Sequence, residues 1–230
     1  MELSTLGLAL AVSVVCGLDR TAAGQFMLSR PIVAAPLTGW LLGSPEAGLQ
    51  IGAMLELLWL GRLPVGAAIP PDDSQVAVGC TLLAVAAQAR TGMPLQAVAV
   101  ASLLLGMPFG KAGQFFDRQA RILNGKLLHR AEKALECGCA KSLERLHLLG
   151  MLHFALASAA TLGVVVSGGW LLLPLALKTL EQPLTAVSNW LWLLFPLTGI
   201  ASLLGGLKVP RGWQIFCVSF LLSLFVLVLR

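Results

Sequence analysis

The sequence predicts an all-α, polytopic integral membrane protein, built from transmembrane helices and a re-entrant helical hairpin. Three observations predict it. The chain is 57% hydrophobic and 12% charged, with a mean hydropathy of +0.84, where an ordinary soluble domain carries roughly 25% charged residues. Its apolar residues fall into blocks at 3–18, 31–43, 46–61, 63–89, 93–110, 148–168, 169–177, 184–206 and 212–229. Two of these, 31–43 and 46–61, are short for a bilayer whose hydrocarbon needs about twenty apolar residues to cross. They adjoin at Gly43-Ser44-Pro45, which reads as the hinge of a hairpin that dips into the membrane. Irregular backbone at such depth is tolerated only against protein or a wet cavity.

In chain order, 3–18 is of signal-peptide length, but Glu2 precedes it and no small-x-small site ends it. It reads as a retained membrane segment. The hairpin follows, its second arm running from Ile51 to Leu60 around the lone acid Glu56. After it come Gly61, Gly66 and the run Pro70-Pro71-Asp72-Asp73, then 63–89, the turn Arg90 to Pro94, and 93–110.

Between Lys111 and Arg145 eight Lys and Arg face only Asp117, Glu132, Glu136 and Glu144. The positive-inside rule assigns that segment to the cytoplasm. The net charge of +5 therefore reads as topology and not as nucleic-acid binding. Counting outward puts Arg20, Arg30, Arg62, Lys208 and Arg211 inside and the N-terminus, Arg90 and Arg230 outside. At 100° per residue Phe116, Ala120, Leu123, Leu127, Ala131 and Ala134 fall within roughly 80° of one another. Three readings stay open for this face: a helix on the inner leaflet, a helix packed on a partner subunit, or a solvated anchor. The chain divides into a transport core (1–110), this basic amphipathic segment (111–146) and smoother scaffold helices (147–230).

The sequence excludes several chemistries. It has no phosphate-cradling Gly-x-x-x-x-Gly-Lys loop, no His-Glu-x-x-His and no Gly-x-Ser-x-Gly. Five cysteines, Cys16, Cys80, Cys137, Cys139 and Cys217, are an odd number and three lie in apolar runs, which argues against a disulfide framework. Cys137 and Cys139 with His129 and His147 nearby allow a metal site, but zinc sites usually space cysteines by two to four residues, so a turn is the favoured reading. His153, on an apolar helix, reads as a core or interface residue. No catalytic residue, metal or cofactor is expected.

The acids carry more information. An ionisable group at membrane depth is costly and points by default to a substrate or ion path. Asp19, Glu56, Asp72 and Asp73 adjoin or interrupt the apolar blocks of the first half. A carboxylate accepts several hydrogen bonds, which suits a polyhydroxylated ligand or a cation. Structural roles compete: Glu56 could pair with Arg30 or Arg62, and Asp72 or Asp73 could cap a helix beginning at Asp73-Ser74. Trp40 and Trp59 could stack on a sugar ring, against the commoner role of interface anchor.

The order Gly17-Leu18-Asp19, Ser29-Arg30-Pro31, Leu42-Gly43, Gly52 to Leu57, Leu60-Gly61, Gly66 and Pro70-Pro71-Asp72 resembles the IIC membrane subunit of the mannose/fructose/sorbose family of the sugar phosphotransferase system. The likeness covers roughly the first ninety residues. It implies a sugar permease subunit in a bacterial inner membrane that works in an oligomer with a IID membrane subunit and cytoplasmic IIA and IIB proteins. Phosphate would pass along histidines of those partners, with none on this chain. Carried over on these motifs, Glu56 and Asp72 are substrate-binding residues, and Asp19 matches the acid of the Gly-Leu-Asp segment. The chain departs from the family at Met27-Leu28-Ser29, where polar residues or a histidine often precede Arg-Pro, so the resemblance implies fewer hydroxyl partners there. Two rivals remain: a non-transporting scaffold or sensor recruiting partners through 111–145, and an ion- or proton-coupled transporter using Glu56.

Overall fold

The computed structural model describes residues 3–59, 69–138, 140–206 and 211–228, and among them every regular element is helical. Helix α1, Leu3–Thr21, is long and apolar enough to cross a membrane. It buries small residues, Ala9, Val12, Ser13 and Cys16, against the core, which lets neighbouring backbones come close without lipid-driven hydrophobic help.

Helices α2, Pro31–Leu41, and α3, Pro45–Trp59, form the expected hairpin. At 1.5 Å per residue they are about 16 and 22 Å long, each short of a bilayer. Proline at the first position of each has its missing N–H where no helical partner exists for it. Gly43, at φ 78, makes the turn in a conformation that costs other residues. The arms touch backbone to backbone: a Cβ at Gly48 would collide with the Ala35 carbonyl oxygen and lie 2.7 Å from Pro36 Cα.

Helix α4, Asp73–Thr91, is the centre of the fold, buried along most of its length. Within the described part of the 63–89 block, helix starts at Asp73, because Pro70 and Pro71 precede it and Asp72 caps it by accepting the Gln75 N–H at 3.1 Å. The cap is thus Asp72, while Asp73 enters the first turn and accepts the Ser74 N–H at 3.0 Å. Arg62 and the rest of 60–68 lie outside the described residues.

Helix α5, Leu95–Gly106, a 3-10 turn at Met107–Gly110 and helix α6, Lys111–Glu136, follow one another without a loop. One core cluster joins α3, α4, α5 and α7, and a second joins α1, α2, α4 and α7. Helix α6 packs on helix α7, Ala140–Gly206, as an antiparallel hairpin turning at Gly138 (φ 67). The apolar stripe foreseen on 111–145 is partly realised, with Ala120, Leu127 and Ala134 buried but Leu123 43% exposed. It faces α7 of the same chain, a partner the sequence reading did not consider. Within the seam Asn124 Nδ2 donates to the Gly150 carbonyl at 3.2 Å and its Oδ1 meets His153 Nδ1 at 2.6 Å, so His153 is the interface histidine expected. Asn124→Ala is expected to loosen this hairpin by about 1–2 kcal/mol, read as faster amide exchange in 120–155 alone; unaltered exchange would mean the pair contributes nothing.

Helix α7 has 67 residues, about 100 Å if straight, and no turn separates the two crossings expected at 148–168 and 184–206. Its trace nonetheless returns. Leu173 and Leu177 share a cavity with Arg90 and Met93 at the end of α4, whereas Gly199 lies against the Leu57 carbonyl, close to the start of α4. Its sequence carries Pro174, Pro183 and Pro196, and each removes one intrahelical donor where the helix can bend. Helix α8, Gly212–Val228, is apolar and exposes Trp213, Leu221, Leu222 and Phe225.

Candidate functional site

The C-terminal end of α1 and the capped start of α4 meet the base of the α2–α3 hairpin. Asp19, 5% exposed, turns both carboxylate oxygens toward the loop between α1 and α2, accepting the Phe26 N–H at 2.6 Å and the Ser29 N–H at 3.2 Å. Gln25 and Met27 in that loop hold φ of 56 and 64, a region that side chains beyond glycine adopt at a cost and that clusters at functional sites. The Ser74 hydroxyl donates to the Ser29 carbonyl at 2.6 Å and anchors the loop to α4.

These pieces enclose a cavity of about 380 Å³, within the range of about 300–1,000 Å³ typical of small-molecule sites. Asp19 and Asp73 supply acceptors, Arg20 and Arg30 supply donors, Gln25 and Ser29 supply groups of both kinds, and Trp59 with Pro70 and Pro71 forms apolar wall. The two carboxylates and two guanidiniums cancel in charge. Arg20 is shared, with Nη1 at 2.8 Å from Asp72 Oδ1 and 3.0 Å from Asp73 Oδ1.

The three acids singled out in the sequence do not converge on one point. Asp19 lines the cavity. Glu56 lies one ion pair behind it, with Oε1 at 3.4 Å from Arg30 Nη1 and Oε2 accepting the Ile32 N–H at 3.4 Å. Asp72 faces a neighbouring cavity and reaches this one through Arg20. Pairing of Glu56 with Arg30 and capping by Asp72, both foreseen as structural alternatives, are realised. Asp73, one of the four acids of the first half noted in the sequence, is in the cavity wall, whereas sequence reasoning missed Arg20 and Gln25 there. The approach of Arg20 to Asp72 spans fifty-two positions, and no local pattern announces it. Trp59 is in the wall and Trp40 is 67% exposed. Of the stretch Met27-Leu28-Ser29, Met27 and Ser29 line the cavity, and Gln25 adds a further polar group beside them.

Cys139, needed for the metal reading, lies outside the described residues; His129 Nδ1 stands 3.3 Å from Glu132 Oε2.

The family model described as the sorbose-specific IIC component of the phosphotransferase system matches residues 4–229. The chain belongs to that family. IIC components are the membrane transport subunits of phosphotransferase systems, work with other components of them, and in general leave phosphoryl transfer to those other subunits. The match extends the resemblance, carried by about ninety residues in the sequence, over nearly the whole chain. Among relatives, the mannose-specific EIIC component of Escherichia coli K12 is 30% identical over 150 residues, 64% of this chain and 53% of that protein. The fructose permease IIC component of Bacillus subtilis is 34% identical over 127 residues, 55% of this chain and 44% of that protein. The chain thus matches over about half the length of these relatives. Of solved structures, one described as a membrane protein aligns with a TM-score of 0.71 at 22% identity, covering 98% of this chain and 88% of that one. A complex of the mannose transporter ManYZ with microcin E492 aligns at 0.61 and 22% identity over the same shares. At that identity the likeness supports the fold, an all-α membrane architecture, which this IIC family member shares.

Proposed function

We propose that the chain is the sugar-translocating subunit of a phosphoenolpyruvate-dependent, mannose-family phosphotransferase system in a bacterial inner membrane, crossing it several times. It binds a hexose-type sugar in the cavity between α1, the loop before α2 and the start of α4, and presents it to a IIB protein for phosphorylation. The observation that carries this reading is the lining. Paired carboxylates and guanidiniums with no net charge, beside an indole and prolines, offer acceptors, donors and an apolar face at once. A neutral polyol needs all three.

Asp19 acts as a direct acceptor, since each of its oxygens keeps a free lone pair after binding the loop. Glu56 holds Arg30 by one long contact and the Ile32 N–H by another, both of which a sugar hydroxyl can displace, and Asp72 positions Arg20. The α2–α3 hairpin, wedged by Gly48 against Ala35, moves as a unit relative to the 147–230 scaffold during alternating access, within a 1–110 transport core. A IID subunit supplies further scaffold, IIA and IIB supply the phosphate, and the assembly is oligomeric. The hairpin of 111–146 stands on the side where IIB approaches.

The test reconstitutes the chain with its IIA, IIB and IID partners and measures uptake and phosphorylation of labelled mannose, fructose and sorbose. Asp19→Asn and Glu56→Gln are each expected to weaken binding about 10–100-fold, the worth of one charge-assisted hydrogen bond, while assembly with IID persists. Full uptake by Glu56→Gln would remove that residue from the site.

A further inference from the structure

A second cavity, of about 460 Å³, lies between α1, α6 and α7 on the other side of the Arg20 side chain. Arg20 and Pro70 line both cavities. Asp72 and Asp73 are adjacent in sequence yet face opposite chambers, and one guanidinium nitrogen bridges them at 2.8 and 3.0 Å. Arg20 and Pro70 are therefore the walls the two chambers share.

The second chamber repeats the chemistry of the first with different residues. Arg20 pairs with Asp72, and Arg121 Nε pairs with Asp117 Oδ2 at 2.6 Å, so its charges also cancel. An anion would meet two carboxylates and a cation two guanidiniums, so neither finds a net field. A neutral ligand finds free lone pairs and N–H groups on both pairs. The hydroxyls of Ser158 and Thr161 donate to the Phe154 and Ala157 carbonyls at 3.0 and 2.8 Å, which leaves their oxygens as acceptors. Phe154, with the Arg121 guanidinium 5.9 Å from its ring centroid, gives the apolar side. Gly17 lets α1 and α7 approach closely at the chamber wall, because a Cβ there would overlap the Ser158 hydroxyl.

We propose that this chamber is a second sugar compartment, resting on the reading of the first cavity as a sugar site, and that Arg20 is the partition between them. Asp72 is fixed by its cap on α4, while Arg20 sits in the last turn of α1 on a long side chain. When Arg20 leaves Asp73 it stays within reach of acids in the second chamber, and the sugar passes from the hairpin side to the α6–α7 side. Each chamber takes a neutral monosaccharide, and the two are filled in sequence.

Equilibrium dialysis of the purified chain assembled with IID, using labelled mannose, fructose and sorbose, tests this. Two equivalents of sugar per chain are expected. Asp117→Asn, isosteric and in the wall of the second chamber alone, should weaken one equivalent at least tenfold and leave the other, whereas Asp19→Asn should affect only the remaining one. Arg20→Lys, which keeps the charge but not the fork, should disturb both. A single equivalent that Asp117→Asn does not alter overturns the second compartment and leaves the first reading standing. A single equivalent lost with Asp117→Asn but kept with Asp19→Asn supports the second chamber and overturns the first. Absence of any sugar binding by the folded assembly overturns both.

Discussion

Replacing Arg20 with Leu is expected to lower stability by about 2–3 kcal/mol. Removing one member of a buried ion pair leaves the other uncompensated, which costs about 3–5 kcal/mol in full burial. Here the side chains of Arg20, Asp72 and Asp73 keep 24%, 14% and 26% of their accessible surface, so water offsets part of the loss. Two carboxylates at the start of α4 would then be left without their shared cation, and the Asp72 cap would be weakened with them. The thermal midpoint of the detergent-solubilised chain measures the effect. Adding Asp72→Asn to Arg20→Leu should recover a good part of it, because the second change removes the orphaned charge. If the double variant is as unstable as the two losses added, the residues act independently and Arg20 is no partition.

The second large effect is expected at Gly48. Gly48→Val should cost about 3 kcal/mol or more, since the neighbours are the Ala35 carbonyl and the Pro36 backbone, which cannot rotate out of the way as a side chain would. The arms of α2 and α3 must then separate, and with them Arg30 and Glu56. Gly163, with nothing within 4 Å of a Cβ, is the control, and Gly163→Ala should be neutral or slightly stabilising. The readout is the unfolding midpoint of both variants. Equal midpoints would show that the hairpin is not held by close backbone approach.

Much of the architecture was legible because membrane helices are announced by composition, and a hinge such as Gly43-Ser44-Pro45 is announced by residues with few conformational alternatives. The start of α4 was legible to within one residue for the same reason, since two prolines followed by acids leave little room for another reading. The candidate site was legible in its acids and in Arg30, and not in Arg20. A lone carboxylate in an apolar run stands out, but Arg20 lies at the end of α1 where a basic residue is also favoured by the helix dipole, so its reach to Asp72 was hidden by an ordinary explanation. The fold-back of α7 was obscured differently. Prolines at 174, 183 and 196 mark bends without saying how far each one turns.

If the chain presents sugar to IIB as proposed, the α6–α7 hairpin also limits how the phosphate donor can approach. Helix α6 has 26 residues and so extends about 39 Å from Lys111 to Glu136, while a phosphorus atom has to come within about 3–3.5 Å of the hydroxyl it will modify. A donor protein held only at the far turn, near Gly138, would be an order of magnitude too distant. Under the proposed function, a IIB active centre would have to reach down beside the hairpin to the chambers near Gly113 and Asp72. In that arrangement the proposed role of the hairpin is that of a guide rail.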